Sequence, residues 1–126
     1  MNVLKPLSSQ VLPIVRAMKT VALASGKSQP AALASIEAFQ QLFFADLPLD
    51  YDNLPIISPA ELAEVVIEPS LRKQLLNGLA MLTLVEGIPP ESQILVLEEF
   101  AAAFGERSNL VTQIRSLRLG GVRQLL

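Results

Sequence analysis

The sequence contains no cysteine, no histidine and no tryptophan. The absence of cysteine excludes disulfides, thiolate metal sites and thiol nucleophiles. The absence of histidine removes the side chain most often used as a general base near neutral pH, and also a frequent ligand of transition metals. With no phosphate-cradling glycine loop either, we expect a protein that is not an enzyme, with no catalytic residue and no cofactor.

Charge is scarce and unevenly placed along the chain. Charged residues make up 17% of the sequence, against 51% apolar residues. Residues 1–36 and 107–126 carry basic residues and no acid, whereas all twelve acids lie between them beside only Arg72 and Lys73. We expect the basic ends to lie against the acidic middle. A nucleic-acid partner is not expected, because a phosphate-binding face needs a denser basic cluster.

Long uncharged apolar runs are also missing. The richest stretch, residues 75–85, is bracketed by Arg72, Lys73 and Glu86, so it is shorter than the roughly 18 residues that a membrane span requires. Pro6 and Pro13 interrupt the N-terminal region, which therefore differs from a secretory signal. We expect a cytoplasmic protein without a transmembrane segment.

Apolar residues recur at intervals of three and four, which is the helical period, and this predicts an all-α bundle of about six helices. Ser58, Pro59 and Glu61 have the form of a capping box that starts a short helix. The helix after Pro69 is apolar nearly all round, so we expect it to be central and fully buried. The expected ranges are 10–24, 30–45, 59–67, from 69, from 90 to 104, and from 108, with a long connection over 46–58.

An offset of 61 residues aligns the chain with itself. It pairs Gly26 with Gly87, and it pairs phenylalanines and core-type aliphatic residues on both sides of that glycine, such as Leu33 with Ile94. Each half then consists of a helix, a glycine turn and a proline-started helix. We interpret residues 1–126 as one domain with related halves at about 10–45 and 70–106, followed by a tail over 107–126. Duplication and convergence of two amphipathic hairpins both remain open.

Three segments carry a resemblance to a known family. They are VALASG at 21–26, LTLVEG at 82–87 and FAAAFG at 100–105. In this respect the chain, over about residues 10–118, resembles the TerB-like helical domains named for a tellurite-resistance protein. Each half of those domains has an Ala-Asp-Gly turn and a glutamate about seven residues later.

The resemblance implies a divalent-metal site built from the acidic turn residues. In the first half those positions are Ser25 and Ala32, and in the second half they are Glu86 and Gln93, with Glu91 close by. Glu86 and Glu91 are therefore the candidate metal ligands. An alternative function is a degenerate divalent-metal domain in a stress response.

Plentiful apolar residues and the lack of catalytic groups favour a non-catalytic protein interaction or regulatory domain. We expect a protein partner or a homodimer, with Phe44, Leu47 and Leu95 beside the core stripe as contact residues. The phenylalanines at 39, 43, 100 and 104 also allow an apolar-ligand carrier, although core packing is the simpler interpretation.

The arginines near the end, at 115, 118 and 123, permit contact of the tail with anionic lipid. A solvated basic tail is the simpler interpretation, because Gly120 and Gly121 would interrupt an amphipathic helix there. The sequence identifies neither the partner nor the biological process.

Overall fold

The computed structural model describes residues 7–26, 30–44, 50–85 and 87–118. All regular structure in these ranges is helical, so the prediction of an all-α bundle of about six helices is confirmed. The elements are α1 (Ser8–Leu23), α2 (Pro30–Phe44), a 3-10 turn (Tyr51–Asn53), α3 (Pro59–Val65), α4 (Pro69–Leu84), α5 (Glu91–Phe104) and α6 (Asn109–Ser116).

Helix α4 is the centre of the bundle, since α1, α2, α5 and α6 all pack against it. Leu76 and Leu79 are almost fully buried and join the main core with residues of α1, α3, α5 and α6. One side of α4 is nevertheless exposed, although its composition is apolar nearly all round. Asn77 and Gly78 are exposed and Met81 is 63% exposed.

Glycines end two of the helices with backbone angles that L side chains rarely adopt. Gly26 follows α1 with φ of 73°, and Gly105 ends α5 with φ of 66°. At Gly105 the backbone N–H donates to the Ala102 carbonyl, and the N–H of Glu106 donates to the Ala101 carbonyl, so carbonyls of the last turn are satisfied. Both helix stops were predicted from the sequence.

Polar residues of α1 hold the segment that precedes α3. Lys19 is only 7% exposed, and its ammonium donates to the carbonyls of Tyr51 and Leu54 at 2.6 and 2.7 Å. Arg16 donates to the Ile56 carbonyl at 2.8 Å, and the Thr20 hydroxyl accepts from the Ile57 N–H at 2.9 Å. The connection is therefore fixed on α1 although much of it is not helical.

The start of α3 contains half of the predicted capping box. The Ser58 hydroxyl accepts a hydrogen bond from the Glu61 N–H at 3.2 Å. The Glu61 carboxylate does not return this bond but pairs with Arg16 at 2.7 Å. A basic residue of the N-terminal region thus lies against an acid of the middle region, as the charge distribution predicted.

Arg72, in the first turn of α4, connects three helices. Its guanidinium donates to the carbonyls of Ala63 and Val66, at the end of α3, at 2.8 and 2.6 Å. It also donates to the carbonyl of Phe104, the last residue of α5, at 2.9 Å, and lies 5.2 Å from the centre of the Phe104 ring. One side chain therefore satisfies orphan carbonyls of two helix ends.

Helix α6 packs against α4 and α5 and is part of the bundle. Val111 and Ile114 are buried in the main core. The Ser108 hydroxyl caps α6 by accepting from the Val111 N–H at 3.2 Å, and it donates to Asn77 of α4 at 2.9 Å. The description of 107–126 as a tail is therefore wrong for α6.

Both bounds of the first helix and the start of the second helix in each pair follow the predicted offset. Helix α1 runs from 8 to 23 and α4 from 69 to 84, while α2 starts at 30 and α5 at 91. Each of these positions in the second pair lies 61 residues after its counterpart in the first. Whether the pairs arose by duplication remains a prediction.

Candidate interaction surface

Helix α2 lies at the periphery of the bundle. It packs mainly on α1 and α4, whereas α5, its counterpart in the second pair, packs on α1, α3, α4 and α6. Ile36 is the fully buried contact of α2, and Phe39 is partly buried against the core. One side of α2 therefore remains uncovered by the described part of the chain.

The uncovered side of α2, called here the α2 outer face, consists of six exposed residues: Leu33, Ala34, Glu37, Ala38, Gln41 and Leu42. They recur at three and four residue intervals, so they form one continuous side of the helix. Leu42 is 78% exposed. Glu37 is the one charged residue in the 15-residue helix. The face is thus apolar and small, with a single negative charge near its middle.

The two helices differ along one edge of this side, since the counterparts of Ala34, Ala38, Gln41 and Leu42 are exposed on α5 as well. Ile36 and its counterpart Leu97 are both fully buried. Leu33, however, is 36% exposed, whereas its counterpart Ile94 is fully buried. The expectation that Leu33 belongs to the core is wrong, because α3 and α6 pack against α5 and not against α2.

On α5, the counterpart of Glu37 is occupied by an ion pair. Glu98 accepts two bonds from Arg115 of α6, from Nη2 at 2.6 Å and from Nε at 3.1 Å. Glu91, two turns earlier on α5, accepts from Nη1 of the same guanidinium. Hydrogen bonding from Arg115 lowers the pKa of Glu98. Bonds from Glu98 and then Glu91 raise the pKa of Arg115 above its ordinary value.

This cluster bears on the predicted metal ligands. Glu91 contacts Arg115, which occupies its carboxylate, and Glu86 lies outside the described residues. Gln93, at the later acidic position of the resemblance, is buried and donates to the Val21 carbonyl at 3.0 Å. Within the described ranges, no three acidic side chains are grouped so that they could hold a metal ion. The metal site remains a prediction from the resemblance alone.

The predicted contact residues are not brought together by the described structure. Phe44 is the last residue of α2, but its side chain lies outside the description, as does all of Leu47. Leu95 is 48% exposed on α5, which is not among the helices that α2 mainly packs against. Leu42 was not among the predicted contact residues, although its place off the stripe of Ile36 and Phe39 indicated an exposed position.

The structure also locates the phenylalanines and the arginines that the sequence singled out. Phe100 and Phe104 are buried in the main core, as the packing interpretation predicted. Arg115 is not a solvated residue of a basic tail, because two glutamates bind it, whereas Arg118 is exposed. No helix in the described ranges is long and apolar enough to cross a bilayer.

Open grooves also lie elsewhere on the described surface, and the two larger ones are as follows. The first, of about 570 Å³, lies beside the start of α6 and is lined by residues that include Lys73, Met81 and Arg107. The second, of about 350 Å³, lies between the start of α1 and the α3–α4 junction, where Leu7 and Ile67 are exposed. Neither groove contains a buried charged side chain that could position a ligand, so neither is a strong candidate for a ligand-binding site.

Comparison with known proteins identified no relative of this chain. The chain matches no family model, no curated protein and no solved structure. The function must therefore be inferred from the residues and the geometry of this chain.

Proposed function

We propose that this domain is a non-catalytic protein interaction module and that the α2 outer face is its contact surface. The observation that carries the proposal is the contrast between α2 and α5 at one register position, where Leu33 is partly exposed and Ile94 is fully buried. An exposed helix side with so few charges is costly to leave in water unless a partner covers it. Contact with an apolar helix side is a common way for proteins to recognise one another.

The composition supports a binding role over catalysis. The sequence has neither histidine nor cysteine. Arg115 pairs with both Glu91 and Glu98 and so joins α6 to α5. Their geometry serves the packing of the bundle.

The proposal includes a protein partner, the cytoplasm as location and membership of the TerB-like group. The family assignment is supported by the three sequence segments and by the matched helix bounds. No metal is needed for the proposed role. The partner is either a second copy of this chain, which would form a homodimer, or a different protein.

Site-specific photo-crosslinking tests the proposed surface. A photoreactive residue at Ala38, in the middle of the α2 outer face, is expected to give a discrete protein adduct in cells that make the protein. The matched control is Glu99, which is exposed on α5 and should give no such adduct. Failure to form an adduct at each of Ala34, Ala38 and Gln41 would overturn the proposal.

Light scattering of the purified chain over a concentration series then identifies the adduct partner. A mass that doubles with concentration indicates a second copy. A constant monomer mass beside a cellular adduct indicates a different protein.

A further inference from the structure

We propose that the partner of the α2 outer face is a short amphipathic helix of another protein, and that it carries an arginine or lysine that pairs with Glu37. This inference rests on the proposed function and specifies the chemistry of the partner. The molecule itself supplies the template, because Arg115 of α6 binds Glu98, the counterpart of Glu37 on α5, in this way.

The α6–α5 contact defines the pattern to be matched. Val111 and Ile114 are three residues apart on α6 and both are buried in the core. Arg115 follows directly and binds Glu98 with two nitrogens, at 2.6 and 3.1 Å. A helix that covers α5 therefore combines an apolar pair with an adjacent basic residue.

Glu37 is the counterpart of Glu98 at the offset of 61 residues that relates the starts of α2 and α5. It is exposed, and it forms no ion pair with the residues described. The counterpart of Glu91 is Pro30, so the α2 outer face offers one carboxylate where α5 offers two. We therefore expect a single basic residue to anchor the partner helix.

The chain's own residues at the equivalent place do not cover α2. Residues 48–55 precede α6, which spans 109–116, by the same offset of 61. Of these, residues 50–55 form a 3-10 turn and non-helical backbone, and Lys19 holds them on α1 by bonds to Tyr51, Asp52 and Leu54. The helix that α6 provides for α5 thus has no counterpart on α2 among the described residues.

The dimensions of the face suit a short helix. Leu33 and Glu37 are about one turn apart and lie on the same edge of the face, as Ile94 and Glu98 do on α5. Leu42, nine residues after Leu33, lies on the opposite edge, so a partner helix seated at Glu37 is not expected to contact it. A helix of about two or three turns, the length of α6, would cover the Leu33–Glu37 edge.

A second copy of the chain is a poorer occupant. Two identical surfaces that meet about a two-fold axis place the same central residue of each copy close together. The centre of the α2 outer face lies at Glu37 and Ala38, midway between Leu33 and Leu42. A symmetric α2–α2 contact would therefore bring two Glu37 carboxylates together, and like charges in an interface oppose association.

The test uses the 126-residue chain and a labelled synthetic peptide with the sequence of residues 107–118. Fluorescence polarisation should show saturable binding of this peptide and none of a scrambled peptide of equal composition. Glu37→Arg is expected to weaken binding at least about tenfold, because an ion pair becomes a repulsion. A peptide with Arg115→Glu should bind the Glu37→Arg protein better than it binds the natural protein.

Two control proteins test whether the loss of binding is specific to the charge at Glu37. Glu99→Arg makes the same change of charge on an exposed position of α5 and should leave peptide binding unchanged. Glu98→Arg reports whether the peptide displaces α6 from α5, since binding there depends on Glu98 and not on Glu37. Circular dichroism should show that Glu37→Arg remains folded, as expected for an exposed position.

The outcomes separate this inference from the proposed function. Reversal of the charge preference by Glu37→Arg supports the basic helix. Equal binding of both peptides to both proteins, dependence on Glu98, or no peptide binding while Ala38 still forms its cellular adduct would overturn the basic helix and leave the interaction module standing. A concentration-dependent dimer abolished by Leu42→Glu would likewise overturn it in favour of a second copy. Loss of both the adduct and peptide binding would overturn both proposals.

Discussion

The first helix pair, α1 and α2, and the second pair, α4 and α5, correspond residue by residue at an offset of 61. They differ in the segment that packs across them. Across α4 and α5 the following residues form α6, whose Val111 and Ile114 enter the core. Across α1 the following residues form a largely non-helical segment that Lys19 holds by backbone carbonyls. Similar helices can therefore have different surfaces, because burial depends on the element that packs across them.

A buried position in the fourth turn of the first helix in each pair shows the same divergence. Lys19 of α1 and its counterpart Ala80 of α4 are both buried. Ala80 leaves room for close helix packing, whereas Lys19 sends its ammonium outward to cap a turn and lies 4.8 Å from the centre of the Tyr51 ring. The second pair is thus covered by apolar packing, whereas the first pair is partly covered by a segment that the Lys19 ammonium holds.

The largest expected effect compares Ile94→Ala with Leu33→Ala. Ile94 is fully buried and Leu33 is 36% exposed. Ile94→Ala should cost about 2–5 kcal/mol of unfolding free energy, because it leaves a cavity, whereas Leu33→Ala should cost less than about 1 kcal/mol. Urea denaturation of both variants measures the difference. Equal losses would mean that α2 is covered as completely as α5.

Lys19→Met should have the next largest effect. It removes hydrogen bonds from a charged donor to carbonyls of the 50–54 segment, and we expect a loss of about 1–3 kcal/mol. Arg118→Met, which removes an equal charge at an exposed position, is the control and should change little. If both variants had the same denaturation midpoint, Lys19 would not hold the segment.

A smaller effect concerns the pH dependence contributed by Glu98. Its pKa is lowered in the folded chain by the hydrogen bond from Arg115. The stabilisation is therefore complete above the ordinary glutamate pKa of about 4.3 and is lost as the pH falls through the lower folded pKa. Glu98→Gln should flatten this part of the stability profile. Its side chain is 39% exposed, so screening keeps the effect small.

The smallest effect is expected for Glu37→Gln, which removes the carboxylate on α2 that corresponds to Glu98 on α5. Glu37 is exposed, and the substitution should change the unfolding free energy by less than about 0.5 kcal/mol. Thermal and urea denaturation of the purified chain provide the measurement. A loss comparable to that of Lys19→Met would show that Glu37 already has a partner within the fold.

The sequence predicted the helices and their ends well, because these depend on local signals. Gly26, Ser58 and Gly105 all act where the pattern placed them. Burial at Leu33 was predicted wrongly, since helical periodicity does not reveal whether a neighbouring helix covers a given side. Burial of Lys19 was missed for a related reason, because its partners are backbone carbonyls more than thirty residues away.

The sequence predicted an apolar helix side as the contact surface, but it did not predict which residues form the one proposed. An apolar helix side was expected, with Phe44, Leu47 and Leu95 as its residues, whereas the described α2 outer face contains Leu33 and Leu42. The choice among exposed apolar residues depends on how α3 and α6 are distributed over α2 and α5. That distribution follows from long-range packing, which no local pattern encodes.

The position of Arg72 has a consequence for how the molecule opens. Helix α3 has seven residues and is too short to be stable by itself. Its last carbonyls share one guanidinium with the end of α5, so an opening of the first turn of α4 that moves Arg72 removes a donor from both helix ends at once. Amide hydrogens of α3 and of the last turn of α5 should therefore exchange with solvent in a single cooperative opening, at a rate set by neither helix alone.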